Sequence, residues 1–170
     1  VHVIDRKNRE KFLQSIRKKE ADVYLMHWDA LRLVVDDFLT NKIVFSTVVA
    51  DEVHRAANRK AQATRALKKI KCHRKLGMSG TASGDKPWNL WSILNWLWPS
   101  FYRSYWTFVK NYAVQEPVHR GNAVYKEFIG VKNTSHLRAQ MAPWYVRHLK
   151  RERCCEHHPE GVMGELPEKT

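Results

Sequence analysis

The apolar run Ile43 to Ala50 passes without interruption into Asp51, Glu52, Val53 and His54. Two adjacent acids at the end of a buried-type strand are residues that phosphoryl transfer can use. One carboxylate holds a hydrated magnesium on the terminal phosphates, and a second group orients or deprotonates the attacking water. In open α/β sheets, ligands gather at the carboxyl ends of strands, so acids placed there face a site. A bare acidic pair that only caps the next turn is the competing reading, and the pair alone favours it. The next residues tip the balance. DEVHRAANRKAQATRALKKI supplies a basic helix, and RKLGMSGTA a second short strand that delivers Ser79, Gly80 and Thr81, whose two hydroxyls can reach the same place.

Other chemistry-bearing residues are weaker. Cys154, Cys155, His157 and His158 form two overlapping C-x-x-H pairs. Thiolate and imidazole suit zinc, but adjacent ligands strain a tetrahedral shell, and a solvated loop is the favoured reading. The basic segment from Arg55 to Lys75 includes Arg55, Arg59 and Lys60. It is expected to be helical, mostly solvated, with some charges contacting phosphates. Trp91, Trp96, Trp98 and Trp106 could stack bases, although their helical spacing favours core packing.

The elements that must position these residues follow from periodicity. Val1 to Ile4, Val23 to Met26, Ile43 to Ala50 and Leu76 to Met78 read as strands, with helices over Arg6 to Glu20 and Ala57 to Ile70. Strands alternating with helices, and apolar on both faces, predict an α/β fold with a parallel sheet flanked by helices. After Gly84 the character changes. Pro87 is expected to open a helix ending before Pro99, Ser100 to cap an aromatic helix running to about Tyr112, and Asn133 or Thr134 to cap another. This predicts an α/β core over 1–86, a mainly helical part over 87–150, and a loop or linker over 151–170.

Composition narrows the partners. Thirty Lys and Arg against seventeen Asp and Glu give a formal net charge of +13, which favours a polyanion, nucleic acid first. No apolar run approaches the roughly 20 residues of a membrane-spanning helix. Three cysteines, two of them adjacent, argue against a disulfide framework, and the first residues resemble no signal peptide. The expected setting is cytoplasmic, and the chain is expected to start inside a longer one.

Taken in order, the segments resemble superfamily-two helicase-like ATPases, particularly the Swi/Snf-type branch and the short phage-encoded helicases close to it. DEVH is similar to the DExH box, motif II, and HRAANRKAQATRAL to the segment that follows it. GMSGTASGDKPWNLWSILNWLWP resembles motif III with its downstream helix. DVYLMHWDALRL resembles motif Ib, and LRAQMAPWYVRHLKRE followed by ELPEKT resembles the close of the first lobe.

The resemblance implies part of a RecA-like first lobe, with ATP and magnesium as cofactors, in a DNA helicase or translocase. Asp51 would coordinate magnesium through water, Glu52 would orient or activate the attacking water, and His54 would relay the nucleotide state to Ser79, Gly80 and Thr81. His27, Trp28 and Asp29 fall where motif Ib follows the nucleic acid. DNA is the implied partner, sequence does not separate it from RNA, and a phage-encoded chain would work in the host cytoplasm.

The chain also departs from the pattern. Ala82 stands where many relatives have proline, and His148 where many have a second arginine after Arg147. No G-x-x-x-x-G-K-S/T occurs, so the phosphate-binding loop and the second lobe would be partners supplied from elsewhere. The competing function class is a non-catalytic, basic nucleic-acid-binding module.

Overall fold

Apolar residues four apart recur twice along WDALRLVVDDFLT, once through Leu31 and Val35 and once through Ala30, Val34 and Phe38. On a helix these make two adjoining stripes, so the segment can serve as a wall between two cores. In the computed structural model, which describes residues 1–3, 8–81, 87–121 and 123–146, it does so as helix α2 (Trp28–Thr40). Leu31 and Val35 pack with Ala50, Val53, Ala56, Ala66, Leu67, Ile93 and Trp96. Ala30, Val34 and Phe38 pack with Phe12, Leu13 and Ile16. Burying a side chain such as Phe38 or Leu94, each 2% exposed, is worth about 1.5–3 kcal/mol.

The chain divides into two compact units, Val1–Lys132 and Asn133–Thr170. The first unit begins with β1 (His2–Val3), α1 (Arg9–Lys18), β2 (Tyr24–Leu25) and α2. It continues through β3 (Phe45–Ala50), a 3-10 turn at Val53–Ala56, α3 (Gln62–Lys69) and β4 (Cys72–Gly77). A second 3-10 turn at Pro87–Asn89 leads into α4 (Leu90–Leu97), α5 (Tyr105–Tyr112), β5 (Ala113–Arg120) and β6 (Ala123–Val131). In the second unit the described structure is α6 (Thr134–Met141), preceded by Asn133 at φ 52°.

β1 pairs with β2 and β3 with β4, both in parallel, the second pair running from Phe45↔Cys72 to Ala50↔Gly77. The α/β class read from the sequence therefore holds. Among the described residues the parallel strands form two separate pairs, and Val49 of β3 and Leu76 of β4, with Val44 and Met78 just outside the two strands, are about half exposed. An apolar row of this kind is a surface suited to further packing.

Several local expectations are revised. The part after Gly84 contains its helices, but Ala113 to Val131 is an antiparallel hairpin, turned at Gly121 with φ 62° and irregular between Val114 and Gln115. The aromatic helix is capped by Ser104, whose side chain accepts from the Thr107 N–H at 3.2 Å. Ser100 instead lies within a turn in which the Phe101 and Tyr102 amides donate to the Trp98 carbonyl. The basic stretch Arg55–Lys75 is not one helix. It passes through a turn, α3 and β4, because Ile70 adopts extended geometry (φ −65°, ψ 127°). Among the described residues no helix is long and apolar enough to cross a membrane. Arg147, His148 and the Cys154–His158 cluster lie outside the described residues.

Lys68 shows what a basic segment costs when part of it is buried. Its ammonium lies 4.6 Å from the Trp91 ring centre and donates to Asn95 Oδ1 at 2.7 Å. Burial first, and the nearby Arg59 charge second, pull its pKa from 10.5 to about 8. Between those two values the unfolded chain holds the proton that the folded chain has released, so this side chain's contribution to stability rises with pH across the window. Urea unfolding at pH 7.5 and pH 10 should show the native chain gaining stability relative to Lys68→Met. Raised tyrosine pKa values at Tyr102 and Tyr112 act in both proteins and cancel in the comparison. A difference that does not change with pH would refute this assignment.

Candidate phosphoryl-transfer site

β3 ends at Ala50, its one buried residue, and the chain then turns over the neighbouring strand. Two reciprocal bonds make that turn rigid: the Met78 N–H donates to the Ala50 carbonyl at 2.9 Å, and the Val53 N–H donates to the Met78 carbonyl at 2.9 Å. Between them Glu52 takes a left-handed backbone, φ 47° and ψ 48°. A side chain in that region costs on the order of 1–3 kcal/mol and persists where its surroundings enforce it. Val53 supplies part of the enforcement. It is 2% exposed, and a Cβ added at Gly77 would come within 3.2 Å of it, so glycine at the end of β4 allows the turn to sit this close.

The turn presents Asp51 and Glu52 to solvent at the carboxyl ends of both strands. The Glu52 N–H donates to Asp51 Oδ1 at 2.8 Å, which fixes one carboxylate oxygen. The Asp51 carbonyl accepts from Trp28 Nε1 at 3.0 Å. His54, one turn on, brings Nδ1 within 3.1 Å of Glu52 Oε2 and 3.0 Å of Ser79 Oγ. A carboxylate can only accept, so the contact with Glu52 requires the proton on Nδ1, shared with the Ser79 oxygen. That oxygen also accepts from the Thr81 N–H at 3.2 Å. Glu52, His54, Ser79 and Thr81 thus form one connected polar chain across the ends of β3 and β4.

The remaining candidates separate. Gly80 is exposed, and an added Cβ would meet nothing within 4 Å, so its space alone does not demand glycine. His27 caps α2 with its carbonyl, which accepts from the Ala30 and Leu31 amides. Trp28 is half-buried against the core and anchors Asp51, while Asp29 is exposed in the first turn of α2. Arg55 is exposed in the 3-10 turn. Arg59 and Lys60 leave the acidic site and line a cleft elsewhere. Trp91 and Trp96 are buried, as their spacing predicts, whereas Trp106 is 65% exposed. Sequence reasoning missed the residues opposite Arg59 in that cleft, notably Tyr105, Tyr125 and Lys126.

The donor set fits a magnesium ion of the kind that keeps most of its water. Among the described residues no group of three or more His, Cys, Asp or Glu side chains could enclose a metal. Magnesium is ordinarily held by one or two carboxylates together with substrate phosphates, and Asp51 offers such a carboxylate. Bound there, the ion would neutralise phosphate charge.

A family model described as the SNF2-related domain matches residues 1–169. Among curated proteins, DNA excision repair protein ERCC-6-like 2 of Mus musculus is 26% identical over 173 residues, covering 99% of this chain and 10% of that protein. TATA-binding protein-associated factor mot1 of Schizosaccharomyces pombe is 27% identical over 155 residues, covering 90% of this chain and 7% of that protein. Switch 2 of Arabidopsis thaliana is 25% identical over 156 residues, covering 89% and 18% respectively. The chain therefore spans less than a fifth of the length of each of these relatives.

Proposed function

Because the chain belongs to the SNF2-related domain family, helicase-like ATPases of Swi/Snf type, we propose that it forms part of the first lobe of an ATP-driven DNA translocase and supplies the magnesium-and-water half of the ATPase site. The observation that carries this reading is the polar chain Glu52–His54–Ser79 across the carboxyl ends of two parallel strands. Asp51 holds hydrated magnesium, and Glu52 orients the attacking water. His54 links that carboxylate to Ser79 and Thr81, so a change at the phosphates reaches the end of β4. ATP and magnesium are the cofactors, and a phosphate-binding loop and a second lobe are required partners. An arginine from a second lobe is worth about 10³- to 10⁵-fold in related phosphoryl transfers. The 170-residue chain alone therefore turns over ATP negligibly.

A basic module without catalysis is the second reading, favoured by the net charge of +13. The two are separated in a chimera that joins this chain to a phosphate-binding loop upstream and a second lobe downstream from a superfamily-two ATPase. A motor changes its affinity for labelled duplex DNA when ATP and magnesium are added. Salt-sensitive binding that is blind to nucleotide supports the module and sinks the motor.

A further inference from the structure

Away from Asp51 and Glu52, the segment Ala57–Lys60, the start of α4, α5 and the hairpin surround an open cleft of about 570 Å³. Neither Asp51, Glu52, His54 nor Ser79 lines it. We propose that this cleft binds an unpaired stretch of single-stranded nucleic acid, its bases stacking on Trp106 and Tyr125 and its phosphates on Lys60 and Lys126. The proposal takes its polyanion from the functional reading above, and the rest from the cleft itself.

Four observations support it. Trp106 and Tyr125 are 65% and 57% exposed, an unusual outlay of aromatic surface for side chains that could pack inward. Trp88 and Phe128, which also line the cleft, stack with ring centres 4.4 Å apart and planes 17° from parallel, which stiffens that part of the wall. Arg59, Lys60 and Lys126 line the cleft and among the described residues no Asp or Glu does, so its field favours a polyanion. The Arg59 guanidinium is held 4.2 Å over the Tyr105 ring, ready to meet a phosphate or a base face.

Exposed aromatic faces interleaved with cations are the recognition chemistry of single strands, because every base offers a π-face once unstacked. A duplex keeps those faces covered. An acidic polypeptide could match the cations but would leave the aromatic faces without stacking partners.

The test uses the 170-residue chain without nucleotide, measuring fluorescence anisotropy of labelled oligo-dT and of a duplex of equal length over a range of salt. Substituting both Trp106→Ala and Tyr125→Ala should weaken oligo-dT binding by about 5- to 100-fold, leaving duplex binding and the salt slope unchanged. Lys60→Gln with Lys126→Gln should instead flatten the salt slope. The proposal is overturned by any of three outcomes. These are no saturable binding of oligo-dT, equal binding by the aromatic variant, and displacement by poly-glutamate as effective as by unlabelled oligo-dT of equal charge. No ATP enters the assay, so its failure leaves the motor reading standing, and a nucleotide-blind chimera leaves this cleft standing.

Discussion

In the chimeric motor, Glu52→Gln is expected to lower DNA-stimulated ATP turnover by about 10²- to 10⁴-fold, the usual worth of a positioned acid or base. The substitution keeps the side chain's length and an oxygen that can accept from His54 Nδ1, which lies 3.1 Å from the carboxylate. It leaves untouched the two backbone bonds that lock the turn, Val53 to Met78 and Met78 to Ala50. The fold and DNA affinity should therefore survive while water activation does not. Steady-state phosphate release alongside thermal unfolding checks both halves. A variant that turns over like its parent would remove Glu52 from the chemistry, whereas a variant that unfolds early would make it a structural residue.

The second large effect is structural. Val53→Asp places a carboxylate where the native side chain is 2% exposed and lies against Gly77, beneath the strained Glu52 turn. Leaving a charge buried without a partner typically costs about 3–5 kcal/mol. Domains of this size hold only about 5–15 kcal/mol in total, so the loss should be evident in urea or thermal unfolding. Val53→Ala, which removes methyl groups without adding charge, should cost much less and loosen the turn. Equal stability of Val53→Asp and the native chain would mean that the turn is not packed as described.

The placement of Asp51 and Glu52 at a strand end was legible in sequence because an apolar run ending abruptly in two acids is a local pattern. Helix α1 was legible because Phe12, Leu13 and Ile16 share one face, whereas α2 was not read as a helix although Leu31/Val35 and Ala30/Val34/Phe38 recur at helical spacing. The pairing of His54 with Ser79 is not local: the two lie 25 positions apart, and only resemblance to a family connected them before the strands were seen side by side. The hairpin escaped because β5 carries Gln115, Glu116 and Pro117, which weaken the strand pattern, and because β6 is largely exposed. The glycine at position 121, between two valine-containing runs, was the available signal, and it takes the positive φ that the turn needs. Ser104 lost to Ser100 as the expected cap because both precede aromatic residues, and only the Trp98–Tyr102 turn decides between them.

The cleft was the least accessible feature. It is assembled from residues between Ala57 and Phe128 that only tertiary packing brings together. Charge could announce the cations but not their neighbours. Spacing assigned the tryptophans to the core correctly for Trp91 and Trp96, yet on α5 the exposed Trp106 adjoins the buried face of Phe108 and Val109. Helical period reports which residues share a face; it does not say which face another element covers.

The central claim is that Asp51 and Glu52 are half of an ATPase site, competent only when the other half is supplied. The most direct measurement is phosphate release from ATP and magnesium, with and without DNA, by the 170-residue chain and by the chimera that adds a phosphate-binding loop and a second lobe. Turnover by the chimera, stimulated by DNA, with none detectable from the chain alone, is the predicted result. DNA-stimulated turnover by the chain alone, or a folded chimera that binds DNA and releases no phosphate, would contradict it.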